Sequence, residues 1–68
     1  MDKLKLAELH REDAKYHRGK ADAYNEVIEK HGDRLIRPIA DDLRHQYKVN
    51  LQKAIAGYDK AIEVLKEE

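Results

Sequence analysis

Lys30-His31-Gly32-Asp33-Arg34-Leu35-Ile36-Arg37-Pro38 decides the fold, because it holds the one break in an otherwise helix-forming chain of 68 residues. Gly32 can supply a left-handed C′ position that closes a preceding helix. Asp33 is a candidate N-cap for the next. Pro38 suits a first helical turn, where its missing N–H has no intrahelical partner to lose. Upstream, residues 2–31 are rich in Ala, Leu, Glu, Lys and Arg, all strong helix formers, and Asp2 can cap their start. Downstream, a second helix is expected from about 38 to 66, with the acids Asp41 and Asp42 near its positive end. Leu35 and Ile36 are expected to plug the bend over 32–37. Strand signals are absent: there is no sustained period-2 alternation, and β-branching is limited to three Val and five Ile. The fold class is therefore all-α, one domain over 1–68 built as a two-helix antiparallel hairpin. At 1.5 Å per residue each arm is about 42 Å long.

The composition excludes several functions. Lys and Arg number 14 against 14 Asp and Glu, for zero formal net charge with the four His neutral, and there is no Cys, Trp, Phe, Ser or Thr. The usual hydroxyl and thiol nucleophiles are missing, as are disulfides, thiolate metal sites and any Asn-x-Ser/Thr sequon. Zero net charge removes the bulk electrostatic case for a nucleic-acid or anionic-membrane binder and leaves only local patches. No apolar run approaches the ~18 residues of a membrane span, and Met1-Asp2-Lys3-Leu4-Lys5-Leu6 lacks the apolar core of a signal peptide. A soluble, cytoplasmic chain with no membrane contact is expected.

A chain this short with 41% charged residues is expected to find its missing burial in another subunit. The hairpin should assemble as a homo-oligomeric helical bundle, a four-helix dimer or larger. In architecture this resembles the plasmid copy-number regulators, helical hairpins that form antiparallel four-helix dimers and bind paired RNA loops; no motif is shared, and no residue role is carried over. A short chain beginning at Met1 also fits a small phage or mobile-element protein that sequesters a host factor or a signalling nucleotide.

The two helices read differently. On the second, Ile39, Leu43, Tyr47, Leu51, Ala54, Tyr58, Ala61, Ile62 and Leu65, widened by Ile55, make a continuous apolar stripe expected to be the core face. Asp42, His45, Gln52, Lys53, Asp59, Lys60 and Glu63 form its solvated back, with His45 exposed and idle. On the first, steps of four and three from Leu6 give His10, Asp13, His17, Lys20, Tyr24, Val27 and His31, a seam polar in its middle. Ala7, Ala14, Ala21 and Ile28 edge it on one side, and Leu9, Tyr16 and Ala23 on the other. Alanines seven residues apart let a helix approach closely. Gly19 costs about 1 kcal/mol relative to Ala within a helix, which marks either another close approach or a weak point.

Three uses of the seam compete. As an interface, His10, Asp13, His17, Lys20 and Tyr24 would set register in an antiparallel self-pairing about position 15, with Asp13 opposite the partner's His17. As a pocket between subunits, Arg11, Lys15 and Arg18 form a basic row on one side, with Lys20, Tyr16 and Tyr24 on the other. Cationic groups hold phosphate and a Tyr ring stacks on a base, so a nucleotide, a cyclic nucleotide or RNA would suit it. As a metal site, His10, Asp13 and His17 would need ligands from a second chain, because His10 and His17 are about 10.5 Å apart along the axis and Zn–N bonds are about 2 Å. No cofactor motif is present. Catalysis needs a water-shielded cavity that two helices alone do not make, so the expectation is a non-catalytic protein that sequesters or blocks a partner: another copy of itself and an unidentified protein, or a small anionic ligand.

Overall fold

A computed structural model describes residues 2–66. Helix α1 spans Lys3–His31, a 3-10 turn spans Gly32–Arg34, and α2 spans Arg37–Lys66, packed antiparallel on α1 with no strand among the described residues. Asp2 is extended (φ −61°, ψ 138°) and its Oδ1 accepts a long 3.4 Å bond from the Leu4 N–H, so α1 starts where its cap predicts.

The bend is built differently from expectation. Gly32 is right-handed (φ −54°, ψ −39°) and its N–H still donates to the Ile28 carbonyl, so it prolongs the helix into the 3-10 turn. Leu35, extended at ψ 138°, breaks the chain away. Asp33 lies inside that turn and does not cap α2. The first amides of α2, those of Ile39 and Ala40, donate instead to the Ile36 carbonyl at 3.1 and 3.0 Å. Asp41 and Asp42 fall one turn beyond the helix start, and no acid occupies its first turn. Leu35 is half-buried as expected of a plug, whereas Ile36 is 64% exposed.

The result is a rod of 51 × 14 × 13 Å with a radius of gyration of 15.3 Å, against about 11 Å for a compact chain of this length. Its interior is made of small residues: Ala7, Ala14 and Ala21 on α1 meet a face of α2 whose buried members are Ala40, Asn50, Ala54, Gly57 and Ala61. Among the described residues no large side chain is fully buried. This corrects the expected α2 core. Ile39, Ile55, Ile62 and Leu65 are each about half exposed; the packed row runs 40, 43, 47, 50, 54, 57, 61, 64, keeping Leu43, Tyr47, Ala54 and Ala61 of the expected stripe but taking Ala40, Asn50, Gly57 and Val64 in place of Ile39, Leu51, Tyr58 and Leu65.

Backbone proximity explains the shift. A Cβ built on Gly57 would stand 2.9 Å from the Ala14 Cβ, 3.3 Å from its Cα and 3.2 Å from the His10 carbonyl oxygen. Helices this close leave no volume for Leu or Ile at the level of Gly57 and Ala14, and the dispersion gained at short range comes from many small contacts. Large side chains are displaced to the flanks. Gly19 meets nothing within 4 Å, so of its two readings the structure leaves the weak point. The surface carries ordinary helix-spaced ion pairs: Lys15–Glu12 at 3.6 Å, Lys30–Glu26 at 2.6 Å, and Asp41 between Arg37 (3.9 Å) and Arg44 (3.5 Å).

Candidate functional site

The polar seam of α1 is divided by the packing. Because α2 sits on the Ala7–Ala14–Ala21 row, the residues three after each alanine, His10, His17 and Tyr24, fall beside it and are half-buried, while Asp13 and Lys20 face solvent. His17 is engaged within the chain: its Nδ1 lies 3.2 Å from Asn50 Oδ1. Asn50, 3% exposed, uses its Nδ2 to donate to the Gln46 carbonyl at 2.8 Å. The amide oxygen is thereby the atom turned to the imidazole, and His17 Nδ1–H is the donor. On the other side of the ring, Nε2 is 3.6 Å from Asp13 Oδ1. Asp13, His17 and Asn50 thus form a chain from the surface into the seam.

Sequence reading missed Asn50 and Gly57. Their signal was the spacing itself: positions 43, 50, 57 and 64 repeat every seven residues, interleaved with Ala40, Ala54 and Ala61, and the alanines of α1 repeat with the same period.

The ligand candidates fall on two flanks. Arg11, Lys15 and Arg18 are exposed along one side of α1, and Lys15 leans on Glu12. Neither Arg11 nor Arg18 has a carboxylate within 4 Å among the described residues. Tyr16 and Lys20 lie on the other side, with the Lys20 ammonium 5.4 Å from the Tyr16 ring centroid, a cation–π distance, and the His17 ring edge-on at 5.3 Å. At 100° per residue the two rows flank the face that α2 covers, so one hairpin cannot present both to a single ligand. Among the described residues no three His, Asp or Glu side chains are grouped to hold a metal ion; the site considered for His10, Asp13 and His17 needs a second chain.

The flank bearing Arg11 carries a further feature. At the open end of the hairpin a groove is lined by Leu4, Ala7, Glu8, Arg11, Glu12, Ala61 and Leu65. From Leu65 an apolar row continues along α2 through Ile62, Tyr58, Ile55 and Leu51, in steps of three and four that keep it on one helical face. Leu65, Ile62 and Ile55 are 54%, 50% and 56% exposed, and Tyr58 and Leu51 are half-buried. No helix among the described residues is long and apolar enough to cross a membrane. No known protein family, curated protein or solved structure matches this chain.

Proposed function

We propose that this chain is a non-catalytic, self-assembling helical protein that acts by holding and so sequestering or blocking a partner. The carrying observation is that the hairpin closes its own seam with Ala and Gly and leaves Ile55, Ile62 and Leu65 exposed, with Leu51 and Tyr58 half-buried in the same row. Contiguous exposed apolar surface of this kind marks interaction sites. A rod 13–14 Å across also gives a substrate no far wall, and without one there is no exclusion of water for general acid–base chemistry by His and Asp. Light scattering coupled to size-exclusion chromatography tests the reading: a discrete oligomer is expected, and a folded monomer throughout the micromolar range overturns it.

A second reading, binding of a nucleotide, cyclic nucleotide or RNA, draws support from Arg11 and Arg18. Both are exposed and unpaired among the described residues, whereas Arg37 and Arg44 sit beside Asp41. Free guanidinium groups suit phosphate. A panel of nucleotides and structured RNAs in low salt should then raise the melting temperature, and Arg11→Ala/Arg18→Ala should abolish the rise. No shift in the parent chain discards this reading.

A further inference from the structure

We propose that the occupant of the exposed α2 stripe is a second copy of this chain, packed antiparallel about a two-fold axis that passes beside Tyr58. The inference rests on the self-assembly reading above and adds to it the face, the register and the symmetry.

The stripe is its own complement. Read from either end it is Leu, Ile, Tyr, Ile, Leu: Leu51, Ile55, Tyr58, Ile62, Leu65. An isologous interface requires that if residue i meets residue j, then j meets i. A two-fold axis at Tyr58 satisfies this with like-sized groups at every level: Leu51 lies against the partner's Leu65, Ile55 against the partner's Ile62, and Tyr58 against the partner's Tyr58. The two halves of the stripe differ in spacing by one residue, about 1.5 Å of rise, within the adjustment side chains make. None of these residues belongs to the buried seam, so the hairpin need not reopen to dimerise.

Charges on α1 agree with the same axis. Gly57 packs between His10 and Ala14, so Glu12, the middle of that span, stands at the height of Gly57, and Arg11, one rise along the antiparallel helix, at the height of Tyr58. Rotation about the axis therefore sets Arg11 level with the partner's Arg11 and one rise, about 1.5 Å, from the partner's Glu12, and sets Glu8 one rise from the height of the partner's Lys15. Glu8, Arg11 and Glu12 all line the groove beside the stripe, so these opposed charges would flank the apolar contact. Arg18 with the partner's Lys5, and Asp59 with the partner's Asp59, fall on the solvated rim, where screening keeps repulsion small.

The elongated hairpin also leaves surface for a partner to cover. The hairpin exposes 5454 Å², whereas a compact protein of 8.0 kDa exposes about 4,500 Å². The excess, roughly 1,000 Å², is comparable to the share of about 800 Å² that each partner contributes to a standard stable interface.

The absence of native cysteine makes the register directly readable. Under mild oxidation Tyr58→Cys is expected to give a covalent dimer in most chains. Leu51→Cys and Leu65→Cys are each expected to stay uncross-linked alone, since each lies about 21 Å from its own symmetry mate, but to link to one another when mixed. Ile55→Glu and Ile62→Glu, at half-exposed positions, should convert the assembly to helical monomers; if either fails to fold, the cysteine set still decides. A wild-type oligomer in which Tyr58→Cys links no better than His45→Cys on the solvated side, or in which Tyr16→Cys links instead, overturns the proposed face and leaves self-assembly standing. A monomeric wild type overturns both and gives the stripe to a helical partner of other sequence.

Discussion

Gly57 lies so close to Ala14 that a methyl group at position 57 would stand 2.9 Å from the Ala14 Cβ, with backbone atoms of Ala14 and His10 at 3.3 and 3.2 Å. Two of the three obstacles are main chain and cannot rotate away. Gly57→Ala therefore has to part the helices. Overpacking of this kind costs about 1–3 kcal/mol, more than the helix-propensity gain of about 1 kcal/mol. Thermal unfolding followed by circular dichroism should show a lower melting temperature.

The same substitution at Gly19 should have the opposite sign. Nothing lies within 4 Å of the added methyl, so Gly19→Ala gains helix propensity without a clash, about 0.5–1 kcal/mol. For a domain of this size that is a rise of several degrees, at about 4–8 °C per kcal/mol. An unchanged or lower melting temperature would mean the glycine is packed.

Asn50 and His17 should behave as a coupled pair. Asn50→Ala leaves the His17 Nδ1–H without its acceptor, and a buried or half-buried donor so orphaned costs about 1–3 kcal/mol. His17→Ala alone frees the amide oxygen in the seam. The double variant removes both needs at once, so a double-mutant cycle by urea unfolding should return a coupling of about 1 kcal/mol. Strict additivity would show that the 3.2 Å contact contributes nothing.

The start of α2 has room for improvement. Its leading amides rely on the Ile36 carbonyl, and the Ile36 side chain is 64% exposed. Ile36→Asp would place a carboxylate near the Ile39 N–H and the positive helix end, a cap contributing about 1 kcal/mol. Denaturant titration should show a higher midpoint with an unchanged slope.

Asp41, between Arg37 and Arg44, should matter little despite two partners. All three side chains are about 60% exposed or more, where ion pairs contribute about 0–1 kcal/mol and are screened by salt. Asp41→Asn is expected to shift stability by less than 1 kcal/mol, with the difference shrinking at high ionic strength. A larger loss would point to a role for Asp41 in assembly.

The helices are legible in the sequence because their signals are local: Asp2 caps α1 and Pro38 lies in the first turn of α2, so the boundaries fall within a residue of expectation, although Leu35 and not a left-handed Gly32 makes the break. The seven-residue alanine spacing on α1 likewise announced a close approach. The face that α2 turns inward was legible only in part: Leu43, Tyr47, Ala54 and Ala61 lie on the expected stripe, but hydropathy also ranks Ile55, Ile62 and Leu65 above Asn50 and Gly57, whereas a seam this narrow selects on volume. Asn50 was hidden for that reason too. A polar residue is unexpected inside a core until the row it belongs to is known, and the row is visible only when α2 is matched to the period of α1. The division of the polar seam, with His17 turned in and Asp13 and Lys20 out, follows from that match.

The alanine and glycine seam reverses the ordinary ranking of mutational tolerance. In most cores the largest residues are least replaceable, and alanine is the standard harmless substitute. Here the smallest residues, Ala7, Ala14, Ala21, Ala40, Ala54, Gly57 and Ala61, are the buried ones, and Gly57 has no room for even a methyl group. In a saturation library scored for folding, they should be depleted of almost every replacement. Ile55, Ile62 and Leu65 would tolerate polar residues as far as the isolated hairpin is concerned. Any intolerance at those three would then report a pressure other than folding of the single chain, so such a library would separate what the hairpin needs to fold from what it needs to function.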